Sequence, residues 1–136
     1  MGIREQLIRD EGRSLKPYQD TAGKLTIGVG RNLSDRGISH AEALYLLDND
    51  IADFTKQLAT ALPWAGALDE ARFGALVNMA FNMGVDGLLE FKQMLAALRV
   101  GNWDKAADDL LDSLYAQQVG DRAVRLANQI RTGRWQ

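Results

Sequence analysis

Apolar residues recur at helical spacing over most of this chain and alternate strictly in only one short stretch. From Ile3 to Glu11, Ile3, Leu7 and Ile8 share one side and Gly12 follows as a stop, which predicts a short amphipathic helix. Glu11 extends the row 3, 7, 11, so it is expected at the C-terminal end of that helix, close to a buried stripe. Asp20 and Gly23 then occupy the first and fourth positions of a type I turn. The run from Lys24 to Gly30 alternates, with Leu25, Ile27 and Val29 on one face and Thr26, Gly28 and Gly30 on the other. This predicts one strand with an apolar back and a bare front. Two glycines on that front imply that something approaches the backbone closely.

A capping-box sequence, Ser39-His40-Ala41-Glu42, opens the longest helical pattern, which carries Leu44, Leu47, Ile51, Phe54, Leu58 and Leu62 and ends near Pro63. His40, the only histidine, is expected as an exposed helix-start residue. Everything beyond reads as helix. Asp69 is the expected N-cap of a helix bearing Phe73, Leu76, Val77, Ala80 and Phe81, which stops near Gly84. Gly101-Asn102-Trp103 divides a further pair, and Gly120-Asp121 opens a last helix that carries Leu126 and Ile130 and ends at Gly133. Trp103 and Trp135 are expected in the core. The fold class is α+β, mainly α: a small β lobe, a long connecting helix and a larger helical lobe.

Composition narrows the picture in three ways. The 136 residues suit one domain, and the absence of cysteine excludes a disulfide framework or a thiolate metal site. No metal or other cofactor is expected. A net charge of −2 excludes a broadly cationic protein, although residues 113–136 carry Arg122, Arg125, Arg131 and Arg134 against Asp121 alone. No nucleic-acid-binding motif accompanies those arginines, so no nucleic-acid partner is expected. No stretch approaches the length of a membrane span, and residues 1–7 carry charges where a signal peptide would need an apolar run.

Two carboxylates stand in contrasting settings. Glu11, expected against an apolar stripe at a helix C-terminus, has the surroundings that favour a protonated acid. Asp20, in a polar turn where water and backbone N–H groups stabilise charge, is the better base or nucleophile. Thr26, on the open strand face, brings a hydroxyl suited to hold a water. In isolation these features are common, since many helices end in Glu and many turns open with Asp.

The whole string is far less common. Glu11-Gly12, Tyr18-Gln19-Asp20, Gly23 and Thr26-Ile27-Gly28-Val29-Gly30 together resemble the phage-type lysozymes, the muramidase endolysins, whose pattern is a Glu, nine residues to an Asp, six more to a Thr, then Gly-x-Gly. The likeness continues through Ala75 to Gly84, Trp103 to Ala107, Arg122 to Arg125 and Arg131 to Trp135. The resemblance implies a single lysozyme domain over residues 1–136. Within it, 1–11 would be the N-terminal helix, 12–38 a small β lobe, 39–62 the connecting helix and 63–136 the helical lobe, with a cleft between lobes. It implies hydrolysis of the β-1,4 bond between N-acetylmuramic acid and N-acetylglucosamine in peptidoglycan, by inversion. Glu11 would donate the proton, Asp20 would be the second carboxylate and Thr26 would help place the attacking water. Gly30, Asn32 and Phe81 are implied at the substrate. Arg122 would modulate the proton donor, and Arg125 would pair with Asp10.

The sequence departs from the T-even phage member of the family in several places. That relative has His and two leucines after Gly-x-Gly, where this chain has Arg31-Asn32-Leu33, so a histidine-based ion pair is absent. Tyr115 stands in place of a tryptophan, and the stretch between Leu33 and Ile38 is much shorter. Two other readings stay open. A lytic transglycosylase needs an acid like Glu11 but no partner like Asp20, and a non-catalytic wall-binding module needs neither. By family analogy the protein is expected as a monomer that stays in the host cytoplasm until a holin opens the membrane, then reaches the periplasm and cell wall.

Overall fold

The computed structural model describes residues 2–136, and the first position of the predicted 1–11 segment lies outside them. Helix α1 spans Ile3–Glu11, with the Gly2 N–H held by the Glu5 carboxylate at 3.0 Å. Gly12 ends it at φ +76°, its N–H reaching the Ile8 carbonyl at 2.9 Å. Three antiparallel strands follow in the order β1-β2-β3: β1 Ser14–Gln19, β2 Leu25–Gly28 and β3 Arg31–Asn32.

The single strand expected from Lys24 to Gly30 is therefore a hairpin. Gly28 and Gly30 sit at φ +68° and +69°, conformations that fold the chain back after Ile27. Ile27 pairs with Arg31 and Thr26 with Asn32, while on the other side Thr26 pairs with Tyr18. Strand β1 was not foreseen. Its register with β2 slips between Ser14 and Tyr18, where Pro17 has no N–H to contribute, a position open to proline because β1 is an edge strand. The predicted faces also change: Leu25 and Val29 are partly exposed, and the buried residue of the strand is Thr26, at 3%. A central strand buries what its neighbours cover, and here that is the threonine.

Helix α2, His40–Ala61, begins where the capping box predicts. Glu42 N–H reaches Ser39 Oγ at 3.1 Å, Ser39 N–H reaches Glu42 Oε1 at 2.8 Å, and His40 is exposed. Two compact units divide the chain, one ending at Leu46 and the other spanning Leu47–Gln136, so the division falls within α2.

The second unit is helical. After a 3-10 turn at Pro63–Ala67 come α3 Glu70–Leu89, α4 Lys92–Arg99, α5 Trp103–Leu111, α6 Leu114–Val119 and α7 Asp121–Thr132. Asp69 caps α3 through the Arg72 N–H at 3.1 Å, as expected. Gly84 breaks α3 at φ 81° and ψ 161°, but the helix resumes and runs to Leu89 instead of stopping there. Asn102 and Ser113 cap α5 and α6, and Gly133 ends α7 in the left-handed conformation.

Leu58, Leu76, Met79, Leu88, Met94, Leu98, Leu110 and Ile130 fill the core, with α7 packed against α3, α5 and α6. Arg72 locks the end of α7. Its guanidinium donates to the carbonyls of Ile130 at 2.6 Å and Arg131 at 3.0 Å, pairs with Asp69 and lies 3.9 Å from the centre of the Trp103 ring. Trp103 is half-buried against the core, whereas Trp135 is 64% exposed, contrary to its expected core role. It lies beyond Gly133, where the helix has ended.

Candidate active site

Asp20 sits in the β1–β2 turn, where its own backbone closes the loop: Asp20 N–H to the Lys24 carbonyl and Gly23 N–H to the Asp20 carbonyl, both 2.9 Å. Its side-chain Oδ1 accepts from the Ala22 and Lys24 N–H groups at 2.9 and 2.8 Å. One oxygen is thus committed to holding the carboxylate still. Oδ2 accepts no hydrogen bond from the described residues.

Thr26 is placed differently from the expectation. It is buried, and its hydroxyl donates to the Lys24 carbonyl at 2.9 Å. With the donor spent, the oxygen retains only acceptor capacity, which a water could use by donating to it. Asp20 and Thr26 both rest on Lys24, through its N–H and its carbonyl, so one residue sets their separation.

Glu11 was expected beside a buried stripe but is exposed, because Ile3 and Leu7 in its row are exposed too and no residue of α1 is buried. What it has instead is Gly30. A β-carbon added at Gly30 would come within 3.0 Å of Glu11 Oε2 and 3.2 Å of its carboxyl carbon, so the hairpin backbone lies directly against the carboxylate. The close approach inferred from the bare strand face has Glu11 as its object at Gly30. At Gly28 nothing lies within 4 Å, and glycine serves the backbone conformation alone.

Other implied residues have partners that the sequence did not disclose. The Asn32 amide donates to Asp35 at 3.1 Å while its oxygen accepts the Asp35 N–H at 3.0 Å, so both ends serve the turn after β3. Asp10 pairs with Arg9 at 2.9 Å. Where the histidine pair is missing, Arg31 and Glu42 form an ion pair at 2.7 Å. The Arg31 hydrogen bond, followed by those from Ser39, holds the Glu42 carboxyl down at about 2.

In the second unit, Phe81 is partly exposed, 5.6 Å from Phe54 ring to ring, and lines an apolar hollow of about 570 Å³ together with Val77, Asn78, Arg122 and Trp135. Arg122 is held by Asn78 through Oδ1 at 2.7 and 3.0 Å and through its carbonyl at 3.2 Å. Arg125 is exposed on α7. The basic C-terminal region is less free than its sequence suggests, because Arg131 bridges Asp104 and Asp108, each at 2.9 Å. Among the described residues no cluster of acids or histidine could hold a metal, and no helix is long and apolar enough to cross a membrane.

The family model for phage lysozyme matches residues 9–129, a span that contains Glu11, Asp20, Thr26 and Arg122. The chain belongs to the phage lysozyme family. It is thus a glycoside hydrolase of a family that acts on peptidoglycan. It is 35% identical to the pre-baseplate central spike protein Gp5 of Enterobacteria phage T4 over 98% of its own length, although it spans only 28% of that protein. It is 29% identical to a probable T4-type lysozyme of Dictyostelium discoideum, with 96% of this chain and 94% of the relative covered, and 31% identical to the SAR-endolysin of Escherichia phage Mu, with 83% and 66% covered.

Sequence reading missed Asn78 and Glu42 as partners of the two arginines. Glu42 was visible as half of a capping box, yet nothing local revealed that the same carboxylate reaches across to β3. Asn78 lies 44 residues from Arg122, and only the packing of α3 on α7 brings them together.

Proposed function

We propose that the chain hydrolyses the β-1,4 bond between N-acetylmuramic acid and N-acetylglucosamine with Glu11 as proton donor and Asp20 as base. The observation that carries this reading is the division of hydrogen bonds between the two carboxylates. Asp20 has one oxygen anchored by two backbone N–H groups. Glu11, against the Gly30 backbone, receives no hydrogen bond from the described residues. An anchored carboxylate with a spare oxygen suits a base, and an unclaimed carboxyl can give its proton to a leaving oxygen.

The steps follow. Glu11 protonates the glycosidic oxygen as the C1–O bond breaks, and positive charge spreads over C1 and the ring oxygen. A water donating one hydrogen to Thr26 Oγ1 and the other towards Asp20 Oδ2 attacks C1 from the opposite face. Asp20 takes the proton, and exchange with solvent returns Glu11 to its acid form. Inversion requires room for that water, about 6.5–9.5 Å between carboxyls, whereas a direct attack by Asp20 needs them about 5–5.5 Å apart.

Turbidity loss of chloroform-treated Gram-negative cells tests the residues. Glu11→Gln and Asp20→Ala are each expected to abolish most lysis, and equal rates across the wild type and both variants would sink the mechanism. Mass spectrometry of the digested wall tests the reaction: reducing ends one water heavier than anhydro sugars are expected, and anhydro ends would make the chain a lytic transglycosylase. An α-anomer as first product, seen by NMR, is the signature of inversion.

A further inference from the structure

We propose that Arg31 and Glu42 are a positioning pair for this hydrolysis, clasping strand β3 to the start of α2 so that the Gly30 backbone stays against the Glu11 carboxylate. The inference rests on the reading of Glu11 as proton donor. It begins from a weakness in the sheet. Strand β3 is only two residues long and meets β2 at just two register pairs, Thr26 with Asn32 and Ile27 with Arg31. So short a ladder is marginal by itself, and the bonds that extend it, from the Leu33 and Ser34 N–H groups to the Leu25 carbonyl at 2.7 and 3.3 Å, lie at the end of β3 away from Gly30. The residue that ends the hairpin loop is Arg31, directly after Gly30.

The clasp supplies what the ladder lacks. Arg31 Nη1 reaches Glu42 Oε1 at 2.8 Å and Nη2 reaches Oε2 at 2.7 Å, a fork-on-fork pairing that fixes direction as well as distance. Nη1 also donates to the Gly37 carbonyl at 3.2 Å, which ties down the turn leaving β3. Glu42 is itself immobilised, since its Oε1 accepts the Ser39 N–H at 2.8 Å while the Ser39 hydroxyl caps the Glu42 N–H. The first turn of α2 is therefore a rigid mount, and the guanidinium is the strut between it and the hairpin.

Other charges nearby do not replace the strut. Arg36 lines a hollow together with Arg31 and Glu42 but shares the sign of Arg31, and Asp35 is occupied by Lys24 at 3.2 Å and by Asn32. The side chains of Arg31 and Glu42 are 22% and 42% exposed, and pairs at such a surface contribute little to global stability. Their leverage lies in position. A shift of about 1 Å at a reacting group can cost on the order of a hundredfold in rate, and only one peptide unit separates Arg31 from the backbone that touches Glu11.

The test uses the full chain, with Glu42→Gln, Arg31→Lys and the exchange Arg31→Glu with Glu42→Arg, assayed on purified soluble wall fragments at a temperature where circular dichroism shows all of them folded. Glu42→Gln and Arg31→Lys are expected to lower kcat about tenfold with KM changed less than about twofold, and the exchange, which restores the ion pair but not the bonds to Gly37 and Ser39, to recover part of that loss. Wild-type kcat per folded molecule in both single variants overturns the proposal, as does an exchange no better than either. The amide resonances of Gly28 and Gly30 supply a readout independent of chemistry: they move in Glu42→Gln if the clasp sets the loop and stay in place if it does not. Glu11→Gln runs alongside. Retained activity there removes Glu11 as donor while the resonances still decide whether the clasp holds the hairpin.

Discussion

The two units of this chain are held together by different forces. In the unit from Leu47 onward, eight large side chains from α2 to α7 are wholly buried, and hydrogen bonds such as Gln129 to the Ala71 carbonyl sit inside an apolar shell. In the unit ending at Leu46, Thr26 is the one buried side chain among the described residues, and its order comes from polar pins. Those pins are the Asp20 turn, the bond from the Leu25 N–H to Ser34 Oγ at 2.8 Å, the Asn32–Asp35 exchange and the Arg31–Glu42 clasp. Apolar packing fixes a shape through many weak contacts. Polar pins fix a few atoms through directional ones, and the proposed acid and base both lie in the unit built that way.

The largest effects should fall on the packed unit. Leu88→Ala or Met79→Ala removes a fully buried side chain and is expected to cost about 2–5 kcal/mol in urea denaturation. Leu25→Ala and Ile38→Ala, both nearly half-exposed, should each cost no more than about 1 kcal/mol. A Leu25 variant as unstable as the Leu88 variant would mean that the first unit has a core of its own, and the contrast would fail.

Gly28 and Gly30 sharpen the comparison inside the first unit, because they share a left-handed backbone but not a neighbour. Alanine at either should cost about 1–2 kcal/mol through backbone strain. Only Gly30→Ala pushes a β-carbon into Glu11. It is therefore expected to lower kcat about tenfold or more, while Gly28→Ala stays within about twofold of wild type when both are assayed folded. Equal losses would show that strain in the loop, not contact with Glu11, governs the rate.

These same residues show what could be read from the chain beforehand. The α2 start at Ser39, the Asp69 cap, the Asp20 turn and the closing Gly133 were all legible, because each depends on residues within four positions of one another. The α+β class followed from them. The strand faces were not legible: alternation predicts two faces, but which is covered depends on β1 and β3, and β3 is joined both to β2 and, through Arg31, to a carboxylate eleven residues away. The exposure of Glu11 was missed for a similar reason. An apolar row predicts a stripe that can be buried, not that anything buries it. The setting of Asp20 was legible because its partners, the Ala22 and Lys24 N–H groups, are all in its own turn.

Tyr115 offers a smaller test, in the opposite direction, of the packed unit. Its ring is buried, 6.0 Å from Phe91 and edge-on to it, yet the hydroxyl has no hydrogen-bond partner among the described residues. Burial pushes the phenol up in pKa, with nearby Arg122 pulling the other way. Tyr115→Phe removes a desolvated hydroxyl and keeps the ring, so thermal melting should show a gain of about 1 kcal/mol. A loss would show that the hydroxyl holds Arg122 in place.

The smallest effect, and the one most specific to the pinned unit, is its response to acid. The Glu42 carboxyl titrates near 2 in the folded chain, against an ordinary value of 4.5, first because of the Arg31 hydrogen bond and then because of Ser39. A carboxyl lowered on folding contributes stability that is present above its unfolded value and lost as pH falls through the folded one. The clasp should therefore act in full above about pH 4.5 and fade between there and about pH 2. Amide exchange at Arg31, Gly37 and Ser39 should accelerate across that window before exchange at Leu76 and Met79 does, and Glu42→Gln should remove the early acceleration. A packed unit that loosened first in acid would reverse the comparison, placing the weaker ties in the apolar core and the stronger ones in the pins.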